Sequence, residues 1–321
     1  MNIIIFIALF IILFLIINML YKRTNHYKNT INQLQKYMKG IPNNLEIVNT
    51  GSSYARYAFD YSYTSKIGFN FGLQSQSLSY DFRILKQYAT NLKKGCVVLI
   101  TLPNLIFGFL DYEKDHNNTK YYYFLNHKNI IGYSKFKYLT RIVFSVLSRK
   151  KNIFYIIKDE QKIDLYNHDR NAMSETQVYD EASLRVEGWK KQFKLNNTID
   201  IKFSNELEKM FESTTSLLNE MIEYCLNLDF KPTLIIPPCS SILNSLLSEQ
   251  FIKKVLYENI EKANTKKIPV LDYLYDERFQ DYKLYINSDM LNKVGRDKFT
   301  EVVIKDLKKA GVLKGRENGE I

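Results

Sequence analysis

Short apolar runs alternate with longer amphipathic stretches through most of this chain, and that alternation limits the folds open to it. The runs are Leu45–Asn49, Ile67–Phe71, Cys96–Thr101, Thr233–Ile236 and Ile268–Leu271. Their brevity and near-continuous apolar character suit strands buried on both faces, as in parallel sheets. Between and after them lie helical patterns: Tyr54–Tyr61, Ser77–Leu92, Asn205–Leu228, Ser241–Lys262 and Arg296–Lys309. In Ser77–Leu92, Leu78, Phe82, Leu85 and Tyr88 fall on one face. Strand–helix alternation of this kind predicts an α/β domain with a doubly wound parallel sheet. Residues 102–200 are less regular and read as an insertion, with a helix at Phe136–Ser148 and a charged region at Lys158–Asp180.

Ahead of this domain, Ile3–Ile17 is an unbroken apolar run, extended by Met19, Leu20 and Tyr21. About 19 residues approach the ~20 needed to cross a ~30 Å hydrocarbon core. A cleaved signal peptide would need a basic start and a small-residue cleavage site; neither is present, so the run reads as an uncleaved anchor. Residues 1–21 are thus expected to be a transmembrane anchor, 22–44 a polar helical stalk ending at Gly40 and Pro42, and 45–321 the α/β domain. Lys22, Arg23 and Lys28 follow the anchor, and the positive-inside rule would keep the domain in the cytoplasm.

The formal net charge of +11 favours acidic partners. No compact Lys/Arg stripe with interleaved aromatics is present, so nucleic acid is not an expected partner. Cys96, Cys225 and Cys239 are far apart, with no CxxC and no Cys/His cluster, so neither a disulfide framework nor a zinc site is signalled. Asp272, Asp276 and Glu277 are the acidic residues nearest to a metal pattern, but solvated carboxylates account for them. No metal and no cofactor is expected. Asn-x-Thr triplets begin at Asn117 and Asn196.

Two distant segments carry the chemistry. Gly51-Ser52-Ser53 follows the first strand directly and precedes a helix. A serine there stands at the carboxyl edge of the sheet, where ligands of such sheets bind, and amides at the helix start could receive an oxyanion. A helix N-cap is the other reading, since serine is a preferred cap. Gly72 ends the second strand, Asn104 follows the third, and Asn287-Ser288-Asp289-Met290-Leu291-Asn292 follows Leu284-Tyr285-Ile286.

In this order the four blocks resemble the SGNH, or GDSL-like, hydrolase family over most of residues 45–309. The resemblance implies a flavodoxin-like α/β fold. It matches Ser53 to the nucleophile, with Ser52 where the family often has Asp. Gly72 and Asn104 match the oxyanion-hole residues. The terminal block matches Asp-x-x-His-Leu-Asn, with Asn287 in place of Asp and Met290 in place of His.

The anchor and Gly-Ser-Ser are similar to membrane-anchored branches that modify cell-envelope polymers, including teichoic-acid D-alanylation proteins and proteins encoded with capsule biosynthesis. That implies a domain outside the cell, against the positive-inside reading. It also implies an envelope glycopolymer or acyl donor as ligand, a membrane-bound biosynthetic partner, and acyl transfer or ester hydrolysis through Ser53.

Methionine cannot take the serine's proton, and a serine without a base in reach is a poor nucleophile. The four histidines, His26, His116, His127 and His168, lie outside the terminal block. Asp289 could serve as base if burial raised its pKa, or could simply bond local backbone. Two expectations follow: an esterase or O-acyltransferase with Ser53 and Asp289 as catalytic residues and Gly72, Asn104 and Asn287 around the substrate, or a catalytically degenerate protein that binds a glycan or a partner. Cys239 could face the same cleft or be a buried hydrophobe. Arg56 could hold an anion or make a surface salt bridge, and Tyr121–Phe124 could be a sugar platform or core packing.

Overall fold

The computed structural model describes residues 2–108, 118–158, 173–195 and 202–313. The Asn117 and Asn196 triplets, His116 and His168 lie outside the described residues. The chain divides into two compact units, Met1–Ile41 with Glu113–Leu165, and Pro42–Tyr112 with Tyr166–Ile321. The expected insertion is therefore shared between them.

In the second unit five strands form one parallel sheet: β1 (Leu45–Thr50), β2 (Gly68–Asn70), β3 (Leu92–Thr101), β4 (Lys231–Ile236) and β5 (Val270–Asp272). Their spatial order is β2-β1-β3-β4-β5, every pair parallel. This is the flavodoxin-like order, whose switch point lies between β1 and β3. The α/β expectation holds, and the carboxyl ends of β1 and β3, which carry Gly51–Ser53 and Asn104, flank that switch point. Thr50 pairs with Ile100, which brings Gly51 beside the end of β3.

One face of the sheet buries Ile47, Val97, Leu99 and Ile235 with Phe59, Phe279, Phe299, Val303 and Leu307. Phe299, Val303 and Leu307 recur along the closing helix, Lys293–Lys309. On the alternate side Val48, Val98, Ile100 and Leu234 are fully buried. The helices Leu78–Tyr88 and Asn205–Asn227 pack on each other and supply Leu85, Leu218, Met221 and Ile222 as buried side chains. Each such aliphatic contributes about 1.5–3 kcal/mol on burial, so the strands are held by their own composition.

The first unit starts with α1, Asn2–Arg23, and a short helix, α2, Asn25–Ile31, capped by the Thr24 hydroxyl, which accepts from the Tyr27 amide. At 22 residues α1 is about 33 Å long, long and apolar enough to cross a membrane. A membrane anchor and a signal sequence both fit that description. Gly40 ends the helical run at φ +93°. Residues 119–157 form short helical turns rather than the continuous helix expected at Phe136–Ser148. Tyr121 and Tyr122 are buried, and Tyr37 stacks on Phe124 at 4.0 Å; Tyr121–Phe124 is packing, not an open platform.

Candidate functional site

The turn after β1 is fixed by a glycine and a buried acid. Gly51 adopts φ +133°, a region closed to residues with a side chain. A Cβ there would lie 2.7 Å from Ala55 Cβ and 3.0 Å from Thr101 Cβ. The Gly51 amide donates to Asp81 Oδ1 at 2.8 Å, and Gln76 Nε2 donates to the Gly51 carbonyl at 3.2 Å and to Asp81 Oδ1 at 2.6 Å. Asp81 is fully buried. These contacts aim the chain into α3, Ser53–Ala58, shorter than the expected Tyr54–Tyr61. Ser52 holds the N-cap position, yet its hydroxyl makes no capping bond. Ser53, the first helical residue, is largely buried, and its hydroxyl has no hydrogen-bond partner among the described residues.

Gly72 lies against this helix: a Cβ would stand 2.6 Å from the Arg56 amide nitrogen. Its own amide donates to Asn70 Oδ1 at 2.8 Å. Asn70 is a support that the sequence reading missed. Its Oδ1 also accepts from Asn49 Nδ2 at 2.8 Å, and its Nδ2 donates to the carbonyls of Ala55 and Phe59 at the end of α3. Asn104 is buried beyond β3, with its Nδ2 3.7 Å from Cys239 Sγ and its Oδ1 unpartnered among the described residues. Cys239 sits just past β4 in the same buried region, and burial together with the Asp289 charge pushes its thiol pKa up. All three cysteines are buried free thiols.

The terminal block is drawn against α3 by two contacts. The Tyr54 hydroxyl donates to Asp289 Oδ2, and Met290 packs with Tyr57 and Ile286 in a small apolar cluster. Asp289 Oδ2 is also 3.1 Å from Arg185 Nη1, and the Asp289 side chain is fully buried. Arg185 is bonded in turn to Glu181 one helical turn away, and Glu181 Oε2 accepts from the Ser288 amide at 3.0 Å. Burial pushes the Asp289 carboxyl up, while the guanidinium and the Tyr54 hydroxyl pull it down. Burial and the neighbouring Asp289 carboxylate push the Tyr54 phenol well up, so it stays a donor.

Asn287 Oδ1 accepts from the Asp289 and Met290 amides at 3.2 and 2.8 Å, a side chain that shapes its own turn. Asn292 caps the closing helix by accepting from the Gly295 amide at 3.0 Å. A Cβ at Gly295 would stand 2.2 Å from the Leu284 carbonyl oxygen. The Leu-Asn-x-x-Gly end of the block, Leu291–Gly295, is thus explained by structure alone.

Arg185 and Glu181 come from a helix, Glu175–Phe193, that the sequence reading absorbed into its irregular insertion. Its start was legible. Ser174 and Gln177 form a reciprocal capping box, and Val178, Ala182, Val186, Trp189 and Phe193 follow at helical spacing. The described histidines belong to the first unit, where His26 stacks on Tyr155 at 3.7 Å and His127 lies near Tyr133. Among the described residues no group of three or more His, Cys, Asp or Glu is placed to hold a metal. Asp272 accepts from the Tyr257 hydroxyl and Asp276 pairs with Arg278. Arg56 lies over the Tyr57 ring at 5.0 Å.

No protein-family model matches this chain, and no curated protein sequence does. Among solved structures it is similar to a candidate acylhydrolase from Bacteroides fragilis NCTC 9343, at 13% identity and a TM-score of 0.40 over 86% of this chain and 96% of that one. Likeness at that level says nothing of chemistry; the parallel sheet and its strand order define the fold.

Proposed function

We propose that this chain is a membrane-anchored envelope protein with the ground plan of a serine hydrolase, and that it binds an anionic glycopolymer without turning it over. The carrying observation is the terminal block. Met290, at the position expected of the base, is packed on Tyr57 and Ile286, and Asp289 is engaged by Arg185 and Tyr54. Asp289 could act as base only after giving up a buried ion pair, and breaking such a pair by losing one partner costs about 3–5 kcal/mol. The net charge of +11 suits a polyanionic ligand.

Retention of the anchor is supported by its own packing. Asn18 and Tyr21 of α1 are buried within the first unit, so cleavage would strip that unit of core. A role in envelope polymer modification puts the domain outside the cell and near membrane-bound biosynthetic partners.

A second reading keeps Ser53 as the nucleophile of an esterase or O-acyltransferase. It is favoured by the unpartnered Ser53 hydroxyl at the carboxyl edge of the sheet. It needs a base, and Asp289, whose carboxyl pKa burial pushes up, is the candidate among the described residues.

Full-length protein in lipid nanodiscs separates the two readings. Binding of a poly(glycerol phosphate) polymer is expected to be equal for the parent chain and Ser53→Ala, with equal background hydrolysis of a simple aryl ester. Ester turnover that disappears in Ser53→Ala would overturn the binding reading in favour of the enzyme.

A further inference from the structure

The segment 135–158 of the first unit has a composition and a position that the proposed function does not use. Between Lys135 and Lys158 there are seven basic residues and no acidic one. Phe136, Leu139, Leu147, Ile153, Phe154 and Ile157 are exposed there, Phe154 by 65% and Ile157 by 87%. Large apolar side chains gathered on a surface mark a contact with a partner or a membrane. The mixture of long apolar and cationic side chains is that of elements lying in a bilayer interface.

The packing of this segment says which. It lies against the membrane-length helix itself. Phe14 of α1 meets Phe144 with ring centroids 5.3 Å apart, and Phe14 falls inside the apolar run. Phe14 and Ile17 also join Tyr21, Val146, Tyr155 and Ile156 in one cluster.

Where the helical turns break, Asn18 on α1 donates to the Val143 carbonyl at 2.9 Å, and its Oδ1 accepts from the Val146 amide at 3.2 Å. Asn152 Nδ2 donates to the Ser145 carbonyl at 3.0 Å. Side chains thus take up the backbone groups freed by the break. A broken helix needs that service wherever water is excluded.

We infer that residues 135–158 are a second membrane contact, lying in the interface beside the anchor with their apolar side chains in lipid and their lysines and arginines on anionic headgroups. The inference rests on α1 being a retained membrane helix. If α1 spans the bilayer, its packing carries Phe144 to the level of Phe14, and the neighbouring Phe154 and Ile157 are brought to the same boundary. Unlike a flexible tether, such a contact fixes the first unit against the membrane surface.

The chain's single tryptophan, Trp189, permits a direct test. In a Trp189→Phe background of the full-length protein, Phe154→Trp and Ile157→Trp are each reconstituted in vesicles of phosphatidylcholine and phosphatidylglycerol with brominated acyl chains. Phe10→Trp reports on the anchor, and Val294→Trp, at a residue 66% exposed in the second unit, reports on water. A ring buried about 5–10 Å into the interface is expected to lose about half its emission or more to acyl-chain bromine. Quenching of the Phe154 and Ile157 reporters well above that of Val294→Trp supports the inference. Strong quenching of Phe10→Trp, with both reporters no more quenched than Val294→Trp, overturns it while leaving the anchor in place. An unquenched Phe10→Trp overturns the anchor reading and this inference together.

Discussion

The turn at Gly51–Ser53 and the block at Asn287–Met290 lie at the same edge of one sheet, yet they treat their polar groups differently. Around the turn, buried partners hold the backbone and leave the serine hydroxyl alone: Asp81 and Gln76 grip Gly51, and no described residue binds Ser53 Oγ. In the terminal block most side chains are engaged, although the Ser288 hydroxyl and Asp289 Oδ1 are buried without a partner among the described residues. Asn287 accepts from two amides, Asp289 binds Arg185 and Tyr54, and Met290 is buried against Tyr57. Under the proposed reading, the position matched to a nucleophile is open while the position matched to its base is used in packing. Losing one member of a serine triad costs several powers of ten in rate, so under that reading a change at the terminal block alone is enough to remove turnover.

The largest effect should come from cutting the lock at the terminal block. Arg185→Ala leaves the Asp289 carboxylate buried without its cation and should cost about 3–5 kcal/mol at neutral pH in chemical denaturation. The pH dependence has a definite sign. Burial already raises the folded-state pKa of Asp289 above its ordinary value. A group raised in this way contributes most to stability below its ordinary pKa, and the contribution is lost as pH rises through the folded value. Without Arg185 the folded value rises further, so the variant's deficit should shrink as pH falls from 7 toward about 4. A deficit independent of pH would mean that Arg185 matters for packing alone.

Restoring the base sharpens the comparison from the other side. Asn287→Asp combined with Met290→His should raise the rate of Ser53 modification by roughly 10²-fold, the lower end of general-base contributions. An unchanged rate in the folded double variant would show that the geometry of the block, beyond its residue types, has drifted.

Gly51→Ala tests the turn. The added Cβ meets Ala55 and Thr101 at 3.0 Å or less, and the backbone sits at a positive φ, so a loss of about 1–3 kcal/mol in thermal denaturation is expected. Ser53→Ala should be nearly neutral for stability, within about 0.5 kcal/mol, because the hydroxyl binds nothing among the described residues.

The central strands β1, β3 and β4 were legible in the sequence because a buried strand has to be an apolar run, whereas the edge strands β2 and β5 are only partly buried. The helices Leu78–Tyr88, Asn205–Asn227 and Lys293–Lys309 were legible because each shows one apolar stripe. Ser241–Lys262 carried the same signal but is broken. Ser248 caps a new turn by accepting from the Phe251 amide at 3.1 Å, and a π-helical stretch follows at Lys253–Tyr257. Periodicity does not register a local change of hydrogen-bond step. Ser53 was legible from its place between strand and helix. Its surroundings were not: Arg185 and Glu181 come from a segment 100 or so residues away from the block they grip, a distance that only tertiary packing closes.

The central claim is that Ser53 has no working base. Purified full-length protein in nanodiscs, treated with a fluorophosphonate probe and read by intact mass and peptide mapping, addresses it directly. The account predicts no modification of Ser53 above the Ser53→Ala control. Stoichiometric labelling of Ser53, absent in Ser53→Ala, would contradict it and make the chain a serine enzyme with a working base.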